Sequence, residues 1–305
     1  MITRRELLEI GAGSLVLLSL GDGESLMAEE KKPAKKMRVS VVQFRSSRDL
    51  AENVERHCDY VRRCAKDGAR VLVFPECSIS GYSDEAVEKA TKDDLDKAEA
   101  RIGAAAKEVG VYVIAGNPTK LEDKTFNSAI VITPEGRIIE RFHKVQLAGE
   151  KWAVPGDHMS VFPIDGTLCS IIICHDERYP ELVRLPVLAG ARLVFYISHE
   201  SGLEAPEKIE PYRAQIVARA VENAVYVAHA NTPWNKDKNE GSHGQSRIIT
   251  PGGRIIKEAG IYDEEVVTAD LELNKADAWL ARNSLNCAFL KDWWEQGIAR
   301  VRRIS

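Results

Sequence analysis

None of the six cysteines in this 305-residue chain forms a Cys-x-x-Cys pair, and the seven histidines follow no metal-ligand periodicity. Neither a metal nor another cofactor is expected. The basic residues form no stripe interleaved with aromatics, and a formal net charge of −4 removes the long-range pull toward nucleic acid, so nucleic acid is not an expected partner. Aromatic residues make up only 7% of the chain. What is present in quantity is a hydrophobic fraction of 44% against 29% charged residues, enough to bury a large core in one elaborate domain.

The N-terminus reads separately. Arg4 and Arg5 are followed by a mildly apolar stretch from Ile10 to Leu20 and then by small and polar residues up to Ala28. That stretch is too short and too rich in glycine and serine for a stable membrane span. Thr-Arg-Arg-x-Leu-Leu resembles a twin-arginine export signal, which implies a periplasmic or otherwise exported protein with residues 1–28 as the signal. Glu9 and the lack of a clear Ala-x-Ala site depart from that pattern, and the alternative is an uncleaved amphipathic helix on a cytoplasmic enzyme. Export in the folded state would be compatible with reduced cysteines, so six of them need not form three disulfides. Residues 29–36 read as a charged linker.

Beyond it, apolar runs alternate with helical patterns. MRVSVVQF opens the domain, and Asp49 to Lys66 carries Leu50, Val54, Val61 and Ala65 on one face. ARVLVFPE is a continuous apolar strand of the kind buried on both faces, a helix spans roughly Leu95 to Glu108, and VYVIAGN returns as a strand. TFNSAIVITPEGRIIERFHKV makes a hairpin that turns at Pro134, Glu135 and Gly136. The second half repeats the theme with CSIIIC, PELVRLPVLAG, RLVFYIS, PYRAQIVARAVENA and VYVAHAN. ITPEGRIIE at 132–140 is echoed by ITPGGRIIK at 249–257, which suggests two similar halves. The alternation argues for sheets covered by helices on their outer faces.

Three of these runs end on a reactive residue: VLVFPE on Glu76, ERFHKV on Lys144 and SIIICHDERYPE on Cys174. A carboxylate, an ammonium and a thiol at strand ends are the parts needed for nucleophilic attack on a carbonyl carbon. A free thiol is mostly protonated at neutral pH, so it needs a base to take its proton and a cation to favour the thiolate. Singly, each residue reads more simply as a solvated charge or an inert core thiol. Their joint occurrence favours chemistry.

FPECSISGY, FHKVQL and ICHDERYPE, in this order, resemble the glutamate, lysine and cysteine blocks of the nitrilase superfamily of carbon–nitrogen hydrolases. VARAVENAVYVAHAN and SRIITPGGRII resemble later family segments, so the likeness runs over 37–290, with 291–305 left as a tail. The resemblance implies an α/β fold, a four-layer αββα sandwich, that assembles as a homodimer or higher homo-oligomer. It implies Cys174 as nucleophile, Glu76 as general base and acid, Lys144 as oxyanion cation with the His175 N–H as second donor, and Glu150 as a further carboxylate positioning substrate or lysine. The implied activity is hydrolysis of a linear amide or N-carbamoyl compound through a thioester. Nitrilases proper follow the nucleophile with Trp and Glu, whereas this chain has His175 and Asp176, which places the likeness with amidases and carbamoyl hydrolases. A nitrile-acting enzyme, or a catalytically silent binding or assembly member, are the alternatives.

Tyr82, Trp152, His175, His199 and Glu200 lie beside these blocks or just past strand ends and are the substrate-binding candidates. Glu200 suggests a cationic or hydrogen-bond-donating substrate group, or else a solvated loop carboxylate. Asp176, Arg178 and Glu181 read as structural ion partners holding the nucleophile turn. Trp279, Trp293 and Trp294 crowd the C-terminal region as a docked tail or an interface anchor.

Overall fold

Long apolar strands need cover on both faces, and two sheets packed against each other with helices outside supply it. A computed structural model of the protein describes residues 36–305 and has this arrangement. The export signal and most of the charged linker lie outside the described residues. The strands are β1 (Met37–Gln43), β2 (Val71–Val73), β3 (Tyr112–Leu121), β4 (Lys124–Ile132), β5 (Ile138–His143), β6 (Met159–Ile164), β7 (Thr167–Ile173), β8 (Leu193–Ile197), β9 (Tyr226–Ala230), β10 (Arg247–Ile249), β11 (Ile255–Glu258), β12 (Glu265–Leu271) and β13 (Val301–Arg303). The helices are α1 (Leu50–Lys66), α2 (Asp84–Lys89), α3 (Lys92–Val109), α4 (Glu181–Leu188), α5 (Ile209–Asn223), α6 (Trp279–Asn283) and α7 (Lys291–Ala299).

Local sequence signals set several of these boundaries. Asp49 caps α1 by accepting from the Ala51 and Glu52 amides, and Thr91 and Asp94 form a reciprocal capping box at α3. Gly110 ends α3 in the left-handed conformation that glycine adopts without penalty.

One sheet runs β12-β1-β2-β3-β4-β5 and the other β11-β10-β9-β8-β7-β6-β13. Within the first, β1, β2 and β3 are parallel, while β4, β5 and β12 join antiparallel. The second repeats this with β7, β8 and β9 parallel and β10, β11 and β6 antiparallel. The sequence echo sits at equivalent places, because both hairpins carry a register shift at the same step, Val131/Ile132 and Ile248/Ile249. Both turns also close by the same bonds, Gly136 N–H to the Thr133 carbonyl and Gly253 N–H to the Thr250 carbonyl, each 2.8 Å.

Alternate residues of each strand divide between two cores. Val39, Val41, Val71, Val73 and Ile114 meet Ile171, Ile173, Leu193 and Phe195 between the sheets. Val42, Leu72 and Phe74 pack outward with α1 and α3, and Ile172, Val194 and Val227 pack outward with α4 and α5. The result is the four-layer αββα sandwich. Residues 291–305 are more than a tail: β13 pairs in parallel with β6, so the second sheet extends past position 290. No strand is expected from the sequence at β6, β12 or β13; β12 and β13 are edge strands with polar residues at several positions, and β6 lies between β7 and β13. No described helix is long and apolar enough to cross a membrane.

The turn after β2 shows how tightly the frame grips its loops. Cys77 holds a positive φ of 49°, and the Gly116 N–H donates to the Pro75 carbonyl at 3.2 Å while its own carbonyl accepts from Ile79 at 3.1 Å. A Cβ at Gly116 would run into the Cys77 nitrogen and lie 2.6 Å from the Pro75 oxygen. Gly116→Ala is therefore expected to destabilise the protein by roughly 3 kcal/mol, because the obstacle is backbone on both sides. Urea unfolding of the variant beside the parent measures it.

Candidate active site

Open α/β sheets present side chains at the carboxyl ends of their strands. Glu76 lies three residues past β2, Cys174 directly after β7, and His199 and Glu200 just past β8, while Lys144 follows β5. Folding brings Glu76, Lys144, Glu150 and Cys174 together. The Lys144 ammonium donates to Glu76 Oε1 at 2.8 Å and also to Glu150 Oε1, with almost no side-chain surface left on any of the three. Glu150 Oε2 accepts from the Ala148 N–H at 2.6 Å.

His199 joins the thiol to this cluster. Its N–H donates to Glu76 Oε2 at 2.8 Å, and its carbonyl lies 3.8 Å from Cys174 Sγ as acceptor of the thiol proton. Asp176 ties the remaining loops: Oδ1 accepts from the Val145 and Gln146 amides at 3.1 and 2.7 Å, and Oδ2 accepts from Ile173 at 3.1 Å. The Cys174 turn and the Lys144 loop therefore share one carboxylate. Cys174 itself is held at φ 45°, a left-handed conformation costing about 1–3 kcal/mol for a non-glycine residue.

The electrostatics follow from burial. Removal from water raises the Glu76 carboxyl above its usual range, and Lys144 opposes that rise. Burial, with Glu76 beside it, also pushes the Cys174 thiol up, so the resting sulfur keeps its proton. Burial works against the Lys144 charge, but the surrounding negative groups hold it cationic.

A cavity of about 320 Å³ opens over Cys174 and is lined by Tyr82, His175, Glu177, His199, Glu200 and Tyr212 among others. Tyr82 stacks on His199 with ring centroids 4.2 Å apart and planes within 6°. Trp152 is half-buried and does not line this cavity; it belongs to the turn that carries Glu150. Glu200 is not a solvated carboxylate. Its oxygens accept from the Tyr196 hydroxyl and from His243 Nε2, each at 2.6 Å, and although burial works against its charge, these partners hold it below the usual carboxylate range. Arg178 and Glu181 form none of the ion pairs expected of them. Arg178 lies over the Tyr212 ring at 5.3 Å, and Glu181 is exposed in the first turn of α4.

Two residues here were not singled out from the sequence. Asn127 donates to Glu76 Oε1 at 2.7 Å and to Glu150 Oε1 at 3.3 Å, and Glu177 is buried on the cavity wall. An amide in the apolar strand TFNSAIVI was the available signal, since a buried amide requires partners. All six cysteines are free thiols, and no cluster of metal-ligating side chains occurs among the described residues.

Residues 38–281 match the family model described as carbon-nitrogen hydrolase. The omega-amidase NIT2 of Xenopus tropicalis is 30% identical over 250 residues, covering 78% of this chain and 89% of the relative. The 2-oxoglutaramate amidase of Bacillus subtilis is 30% identical over 247 residues, covering 79% and 93%. Among solved structures, an amidase of the nitrilase superfamily from Nesterenkonia AN1 superposes with a TM-score of 0.73 at 26% identity, covering 86% of this chain and 98% of that one. Another structure of that enzyme, with a TM-score of 0.70 at 26% identity, covers 82% and 100%; it shows acrylamide added at the active-site cysteine.

Asn127 donates to the ionised form of Glu76, so its loss favours protonation. Asn127→Ala is expected to raise the Glu76 carboxyl by about one pH unit, the worth of a hydrogen bond to a charged group. Difference infrared titration of the carboxyl band reads the shift.

Proposed function

The chain belongs to the carbon–nitrogen hydrolase family, and from that membership and the site geometry we propose how its residues divide the work of breaking an amide C–N bond. Cys174 attacks the amide carbonyl while its proton passes to Glu76. The oxyanion is held by Lys144 and the N–H of His175, and donors aimed at developing charge contribute a few kcal/mol each. Glu76 then protonates the departing nitrogen, which leaves as ammonia or amine, and the acyl group stays on sulfur as a thioester. Water attacks the thioester as Glu76 accepts its proton, the acid is released, and the proton returns to the thiol. Glu150 acts through Lys144 as a positioning residue. This division of roles rests on one observation: His199 accepts from the thiol through its carbonyl and donates to Glu76 through its N–H, with Lys144 on the second oxygen of that carboxylate.

The amidase relatives favour an amide over a nitrile as the bond cleaved. A short linear amide is the substrate class, with Tyr82 and His199 forming one wall for its acyl chain. The exposed C-terminal aromatics, Phe289 with 92% of its surface open and Trp279 and Trp293 about half open, support a homo-oligomer.

Cys174→Ala is expected to abolish ammonia release from short amides while retaining their binding, and ammonia release at the parent rate would overturn the nucleophile assignment. Nitriles run beside the amides should remain unconsumed. Because ionised Glu76 is the base and burial raises its carboxyl, activity is lost as pH falls through a value above the ordinary 4.5 of glutamate. A profile of kcat/KM against pH locates that acid limb. Light scattering should return at least twice the protomer mass, and Phe289→Ser should lower it.

A further inference from the structure

We propose that the acyl group of the substrate carries a cation, an alkylammonium or guanidinium, received by Glu177; this rests on the amide-hydrolase reading above. The wall of the Cys174 cavity includes three carboxylates, Glu177, Glu200 and Glu204, and no lysine or arginine among its described lining residues. Lys144 is committed to Glu76 and Glu150. Arg178 lies over Tyr212, Arg219 gives its Nε to the Glu177 carbonyl at 2.7 Å and pairs with Glu222, and Lys208 is exposed beside Ser201. None of these cations forms an ion pair with the Glu177 carboxyl group, although the Tyr196 hydroxyl and the charges of Arg178 and Arg219 offset part of the effect of its burial. His175 and His199 are held below their usual range by burial and add no charge near neutral pH.

Glu200 is occupied by Tyr196 and His243, whereas Glu177 is 1% exposed and its Oε2 has no hydrogen-bond partner. A buried polar atom without a partner costs free energy that a ligand can recover. Cys174 and Glu177 are the first and fourth residues of the 3-10 turn Cys174–Arg178. Both residues line the same cavity, and the Glu177 carboxyl is near enough to the thiol for its charge to act on it. An acyl carbon bound to sulfur and a cation on Glu177 are then joined by a short methylene spacer. Burial and the neighbouring Glu200 charge keep Glu177 protonated in the empty site, and an arriving cation releases that proton.

The test compares three amides of matched length: δ-aminovaleramide, hexanamide and glutaramate. For the parent enzyme, kcat/KM should be ten-fold or more higher for the cationic amide than for hexanamide, with glutaramate lowest. Glu177→Gln should cut the cationic-to-neutral ratio at least ten-fold. Calorimetry of the parent protein with pentylammonium and with valerate reads the same preference without turnover or a variant, and pentylammonium should bind at least ten-fold tighter. A preference for glutaramate, an unchanged ratio in folded Glu177→Gln, or valerate binding as well as pentylammonium would overturn the proposal. If none of the amides is hydrolysed but pentylammonium still binds selectively, the amide reading falls and the cation site stands.

Discussion

Two carboxylates and one ammonium, Glu76, Glu150 and Lys144, are packed together with essentially no water-accessible surface, and much of the site is organised around keeping them there. Removing charges from water costs several kcal/mol per ion, recovered only if each remaining lone pair and proton finds a partner. Asn127, the His199 N–H and the Ala148 N–H are those partners. Burial, with Glu76 beside it, leaves the nearby sulfur protonated, and Lys144 only partly opposes this. A carboxylate beside a neutral thiol is the arrangement that the proposed transfer of the Cys174 proton to Glu76 requires.

The loops carrying these groups are fixed by backbone bonds. Asp176 holds the Cys174 turn and the Lys144 loop through three amides, and His199 holds Glu76 through its N–H and Cys174 through its carbonyl. Positive φ at Cys77 and Cys174 shows where local preference yields to these constraints. The surrounding sheets supply the rigidity, since their parallel strands are buried between a shared core and an outer helical layer.

The likeness of the two half-sandwiches extends to the frame but not to the site. The two sheets share strand order, register shift and turn bonds, yet Glu76 and Lys144 come from loops of the first sheet and Cys174, His199 and Glu200 from loops of the second. Neither half holds a complete set of groups. The cavity is equally asymmetric, with acidic side chains gathered on the Cys174 side.

Much of this was legible from the chain. Apolar runs broken by helical periods gave the alternation of elements, and the blocks around Glu76, Lys144 and Cys174 carried the family likeness because a catalytic turn constrains several neighbours at once. Edge strands such as β12 and β13 were not legible, since a half-covered strand needs no continuous hydrophobic run. Nor were the partners of Glu200 and Asp176: hydrogen-bond pairing depends on which loops meet, and His243 approaches Glu200 from 43 positions away. The sequence by itself determined which residues are reactive and which segments are buried, since those depend on side-chain chemistry and local periodicity. Only the tertiary structure decided which carboxylate is spent on neighbours and which keeps an unpartnered oxygen at the cavity wall, because that depends on distances between strand ends that no local pattern encodes.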